Sequence, residues 1–121
     1  MKCDEGYRCE VCGEDVTSIV ESDLYLRYVI GELDPETLHT TPERHIRCNP
    51  VLAQFIDATD WQRVVVEGPM SLEHLDPEFV AERTRRVTRG YLRLQEIVQW
   101  SDERDITQYP LPEAIAKYRG E

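Results

Sequence analysis

Two short motifs, Cys9-Glu10-Val11-Cys12 and His45-Ile46-Arg47-Cys48, constrain this chain more than anything else in it. Three thiols and one imidazole at these spacings suit a single tetrahedral zinc ion, because each tight turn presents two donors to the same metal. The residues in between must then span from one turn to the other. Gly13, directly after the first pair, permits the positive φ that turns backbone amides toward the thiolates. Redox motifs share the bare CxxC pattern, but they open a helix in a βαβ setting. Here Glu14-Asp15 is followed by Val16, Thr17, Ile19 and Val20, which favour strand.

The expected ligand set is Cys9, Cys12, His45 and Cys48. His39 is the alternative fourth ligand, and His45 is preferred over it because it shares a short turn with Cys48. Four good donors fill a tetrahedron and leave no position for water or substrate, so the expected Zn2+ is structural rather than catalytic. No Gly-rich phosphate loop, nucleophile elbow or HExxH motif is present, the carboxylates are scattered, and no catalytic residue is nominated. Cys3 lacks a partner at ligand spacing. It is the particular support for a further reading, a redox switch in which oxidised thiolates release the metal.

Between the two turns, Leu24 to Ile30 is rich in aromatic and β-branched residues and predicts a strand. With Glu21-Ser22-Asp23 as the turn, Val16–Val20 and Leu24–Glu32 would pair as a hairpin. Asp34-Pro35-Glu36 and Thr40-Thr41-Pro42-Glu43 then break the chain before the second ligand pair. Asn49-Pro50 predicts a short helix directly behind Cys48, with Asn49 as its cap. Val64-Val65-Val66 reads as a short strand ended by Gly68-Pro69.

The longest regular element is a helix opened by Asp76-Pro77-Glu78 and running to about Trp100. At helical pitch Phe79, Val80, Val87, Tyr91, Leu94, Ile97 and Val98 share one face. Gly90 lies near that stripe, which implies close approach by another element. Arg83 is expected to cover its stem and pair its head with a carboxylate. Arg86, Arg89 and Arg93 line one flank and are a candidate anion-binding stripe, against the simpler reading of a solvated face knitted to nearby glutamates. A last short helix spans Glu113 to Arg119.

At motif level the chain resembles the treble-clef class of zinc fingers over about residues 7–57: a CxxCG knuckle with Gly13, an intervening hairpin, and a second ligand pair leading into the Asn49-Pro50 helix start. The resemblance implies an α+β fold, in which a treble-clef-like zinc-bound β-hairpin and short helix pack against the long C-terminal helix. Some treble clefs are HNH-type nucleases, and Asn49 follows the last cysteine here. However, His39-Thr40-Thr41 does not reproduce the second metal site with a general-base histidine that such enzymes need.

Length and charge bound the rest. At 121 residues the expectation is a single domain, 1–121, with a zinc-binding part over 7–57 and a mainly helical part over 58–121. A net charge of −10 repels phosphate backbones, so nucleic acid is disfavoured as a partner and another protein is expected. The long helix is the exception, with five arginines against three glutamates. No apolar run suits a secretory signal or a membrane span, which points to the cytoplasm, where four cysteines argue for metal or free thiols over disulfides. The functional expectation is a non-catalytic protein-interaction or scaffolding module, and the alternative is a nucleic-acid-associated factor or HNH-like nuclease.

Overall fold

The computed structural model of the chain describes residues 7–33, 36–38, 40–100 and 108–118. Cys3 and His39 lie outside the described residues. The fold is mainly helical, with one short antiparallel strand pair. Strand β1 (Tyr7–Arg8) pairs with β2 (Asp15–Val16), so that Tyr7 faces Val16 and Arg8 faces Asp15. Helices α1 (Asp23–Val29), α2 (Pro50–Ala53), α3 (Pro77–Gln99) and α4 (Pro112–Tyr118) follow, with 3-10 turns at Ile19–Glu21, Ile46–Cys48 and Leu72–His74.

The expected hairpin of Val16–Val20 with Leu24–Glu32 does not form, because Asp23–Val29 is helix. Ser22 caps this helix, its Oγ accepting the Tyr25 amide at 3.1 Å, so the residues read as a turn are in fact a helix start. Six of the seven residues of α1 are buried, Asp23 among them. A helix buried nearly all round has no polar face, and its apolar run is indistinguishable from a buried strand by periodicity. The helix closes in a Schellman arrangement, with the Glu32 amide bonded to the Arg27 carbonyl and the Gly31 amide to the Tyr28 carbonyl. The strand expected at Val64-Val65-Val66 is absent too. Val65 is 84% exposed, and among the described residues no strand pairs with this segment to complete a ladder.

The long helix forms as its periodicity predicts, from Pro77 at its first turn to Gln99. Val87, Tyr91, Leu94 and Ile97 of its stripe are buried, and they pack with Leu26, Tyr28 and Val29 of α1 and with Ile46, Leu52, Phe55 and Ile56. The ends of the stripe behave differently: Phe79 is 51% and Val98 52% exposed. Thr88 ties the helix to the segment after α2, accepting the Asp57 amide and donating to the Phe55 carbonyl. Arg83 pairs with Glu32, as its position implied. No helix of the described residues is long and apolar enough to cross a membrane.

Gly90 sits where α1 crosses α3. A Cβ added there would overlap Ile30 Cγ2 and lie 3.1 Å from Leu26 Cδ1. Ile30 is buried and branched at Cβ, so it cannot swing aside cheaply. Gly90→Ala should therefore destabilise the protein by about 1–2 kcal/mol, the overpacking penalty exceeding the gain of about 1 kcal/mol in helix propensity. Urea denaturation checks this, and a neutral or stabilising result would remove the close-approach account.

Candidate metal centre

The two ligand turns are brought together by backbone pairing that the local sequence does not advertise. The Cys9 amide bonds to the Glu14 carbonyl and the Gly13 amide to the Cys9 carbonyl, each at 2.9 Å, closing the knuckle between β1 and β2. Gly13 has φ +79° with open space around its α-carbon, so glycine is there for its backbone conformation rather than for room. The Glu10 amide donates to the Glu43 carbonyl, and Ser22 bridges His45 in antiparallel fashion, which brings the second turn against the first. Cys48 closes its own turn by donating its amide to the His45 carbonyl at 3.0 Å.

As a result Cys9 Sγ, Cys12 Sγ, Cys48 Sγ and one ring nitrogen of His45 all lie within 4.8 Å of one another, close enough to bind one metal ion. Cys9 is 2% exposed, Cys48 and His45 are half-buried, and Cys12 is exposed. His45 Nε2 lies 3.0 Å from the Asp15 carbonyl. A carbonyl can only accept, so Nε2 carries the proton and the neutral ring has its lone pair on Nδ1. Nδ1 faces Cys12 Sγ at 3.3 Å and Cys48 Sγ at 3.8 Å. The Asp15 carbonyl thus holds the imidazole in the tautomer that leaves Nδ1 free to bind a metal.

The thiols are electrostatically unequal. Burial pushes the Cys9 thiol up, but hydrogen bonds from the Cys12, His45 and Val11 amides, with one from Cys48, outweigh it and bring it down to about 6. The Val11 and His45 amides both point at Cys9 Sγ from 3.4 Å. Cys48 is pushed up to about 12, first by burial and then by its hydrogen bonds to Cys9 and Cys12 and the charge of those neighbours. Burial opposes a charge on His45, yet the Asp15 carbonyl and Cys9 raise its pKa above the usual value. The amides at Cys9 Sγ thus favour its thiolate, and further thiolates beside it would call for a cation. Three sulfurs and an imidazole nitrogen are the donor set of structural zinc, so the residues fit that ion.

A buried polar network anchors the second turn to α1. Asp23 is fully buried. Its Oδ2 accepts from Arg44 Nε at 3.0 Å, its Oδ1 accepts from Asn49 Nδ2 at 3.0 Å, and its amide donates to the Arg44 carbonyl at 2.8 Å. Arg27 Nε is 2.9 Å from Oδ2, an ion pair in which the N–H is not aimed at the oxygen. Beside it, Ser22 Oγ donates to buried Glu43 at 2.7 Å. Burial raises the Glu43 carboxyl against hydrogen bonds from Ser22 and from the Arg44 and Leu24 amides. Asn49 does occupy the cap position before Pro50, but its side chain makes no cap bond and goes to Asp23 instead. Sequence reasoning missed Asp23 and Glu43 as supports of the site: the i,i+4 spacing of Asp23 and Arg27 is a local signal, but Arg44 and Asn49 lie more than twenty residues from Asp23, as Ser22 does from Glu43.

The candidate anion stripe is already engaged. Arg86 reaches Glu82 at 3.3 Å and Arg89 pairs with Glu113. Arg93 spends its guanidinium on the carbonyls of Tyr109 at 2.9 Å and Gln108 at 3.0 Å, with Glu96 at 3.3 Å. Arg93 therefore fastens the segment leading into α4 onto α3. No protein-family model matches the chain, and no curated protein or solved structure matches it. What remains of the resemblance to zinc fingers is the Cys3His cluster, which is compatible with a zinc-finger-like motif.

Proposed function

We propose that the chain is a small zinc-binding module in which Cys9, Cys12, His45 and Cys48 hold one structural Zn2+ ion, and which serves protein interaction or scaffolding rather than catalysis. The observation that carries this reading is the convergence of four donor atoms, with the His45 Nδ1 lone pair directed at two of the thiols. Four protein donors complete a tetrahedron, which leaves the ion without a reactive position. The engagement of Arg86, Arg89 and Arg93 with carboxylates and carbonyls of the chain itself supports a protein partner over nucleic acid. The net charge of −10 supports it further.

Cobalt substitution tests the metal assignment directly. Metal-free protein titrated with Co2+ should develop intense visible bands of tetrahedral cobalt and near-ultraviolet thiolate charge transfer, saturating at a single equivalent and bleached by Zn2+. Cys48→Ser should weaken the charge-transfer band, and His45→Ala should shift the visible envelope as nitrogen leaves the coordination shell. Octahedral-type weak absorption, or spectra indifferent to both substitutions, would overturn the ligand set.

A further inference from the structure

A cavity of about 390 Å³ opens beside the metal centre, between the His45–Cys48 turn, the loop carrying Asp60 and Trp61, and Tyr91 of α3. Two of its walls are aromatic: the Trp61 and Tyr91 rings stand edge to face, with centroids 5.0 Å apart and planes at 62°. Glu21 and Asp60 also line it. Glu21 accepts from Thr17 Oγ1 and Asp60 from Gln95, yet neither carboxylate is ion-paired among the described residues. The guanidinium of Arg47, from the turn between the second pair of ligands, lies over the Trp61 ring at 4.0 Å from its centroid. Arg47 is exposed and forms no ion pair among the described residues, so it is held by the ring rather than by a carboxylate.

We infer that this cavity is a recognition site for a basic side chain, lysine or arginine, presented by a partner polypeptide, with Arg47 as its internal occupant in the free protein. Aromatic faces attract cations through their quadrupole, and two unpaired carboxylates at the same cavity add Coulomb attraction while repelling anions. Arg47 demonstrates the fit, since a guanidinium already sits on the ring. Because its side chain is exposed and has no ion-pair partner among the described residues, an incoming cation can displace it. The net charge of −10 draws basic segments toward the surface. This rests on the interaction reading above and deepens it by naming the partner's chemistry. It also gives the metal centre a further task, as the ion that fixes the turn carrying Arg47 also shapes one wall of the cavity.

The test uses zinc-loaded protein, with melting checked for every variant, and capped pentapeptides Gly-Gly-X-Gly-Gly in which X is lysine, arginine, trimethyl-lysine or glutamate. Titration followed by amide chemical shifts should place the three cationic peptides at Trp61, Asp60 and Glu21, and should show no binding of the glutamate peptide. Trp61→Leu should weaken the cationic peptides about three- to thirtyfold. The paired surface change Glu21→Gln with Asp60→Asn, which leaves the rings in place, should weaken them about threefold at low salt. Arg47→Ala should strengthen binding severalfold by removing the competitor. Equal binding of the glutamate peptide, no binding to folded zinc-loaded protein, or no response to Glu21→Gln with Asp60→Asn would each overturn the inference. The cobalt spectra stand or fall separately, so a failed peptide titration on protein with an intact tetrahedral site rejects the cavity and leaves the metal reading untouched.

Discussion

Stripping the metal from the protein with a chelator should lower its melting temperature by more than about 10 °C and abolish amide protection in the knuckle first. Among the described side chains of residues 8–16, only Cys9 and Val16 are buried, and neither belongs to the main hydrophobic core. The β1–β2 ladder has two residue pairs, and Val11 at the tip is 59% exposed. Such a segment cannot offset the entropy of ordering about ten residues, at roughly 1–2 kcal/mol each, by its own contacts. Closed zinc sites in small peptides supply apparent binding on the order of 10–16 kcal/mol, comparable to the whole stability of an ordinary domain. Part of that reaches the core, because Ile46, fully buried against α1 and α3, is flanked by His45 and sits two residues from Cys48. A transmitted share of about 3 kcal/mol, at roughly 4 °C per kcal/mol for a chain of this size, moves the midpoint by about 12 °C. In hydrogen exchange the Glu10 and Gly13 amides should become unprotected without metal, while those in the middle of α1 and α3 keep protection. A chelated, verifiably metal-free protein that melts at the same temperature would reject structural zinc.

The convergence of Cys9, Cys12, His45 and Cys48 and the long helix were legible in the sequence for opposite reasons. The cluster is legible because coordination chemistry restricts residue type and local spacing, and each pair is complete within four residues. The helix is legible because α3 has one buried face and one wet face, so Val87, Tyr91, Leu94 and Ile97 recur at helical pitch and Asp76-Pro77 marks the start. Helix α1 was not, since burial on all sides erases the pattern on which such a reading depends. Its aromatic and β-branched composition then pointed to a strand, whereas the cap at Ser22 was the informative residue. The arginines divide likewise. Arg86 with Glu82 and Arg93 with Glu96 are pairs visible at helical spacing, but the partnership of Arg89 with Glu113 and of Arg83 with Glu32 depends on where α4 and the end of α1 dock.

Asp23→Ala should be the most damaging substitution that touches no metal ligand, at about 3–5 kcal/mol. Three donors converge on this carboxylate: Arg44 and Asn49 by hydrogen bond and Arg27 by charge. The side chains of Arg27 and Arg44 are only 20% and 24% exposed, so water cannot fully replace Asp23 when it is removed. Burying one anion between two cations contributes little net stability against its desolvation; the damage arises from leaving the cations behind. The consequence is strongly non-additive: in an Arg27→Met, Arg44→Met background the same change should cost far less, and a double-mutant cycle measures the difference. Arg44 precedes His45 and Asn49 follows Cys48, so the network also holds both ends of the second ligand turn in place. Loss of Asp23 should therefore weaken zinc binding about tenfold, as for other supports of a ligand shell, read by competition with a chromophoric chelator. Asp23→Asn keeps an acceptor for Asn49 but loses the charge, and it should fall between the two in both measurements. A stability change under about 0.5 kcal/mol for Asp23→Ala, or an unaltered zinc affinity, would show that the second turn is positioned by backbone pairing and metal alone.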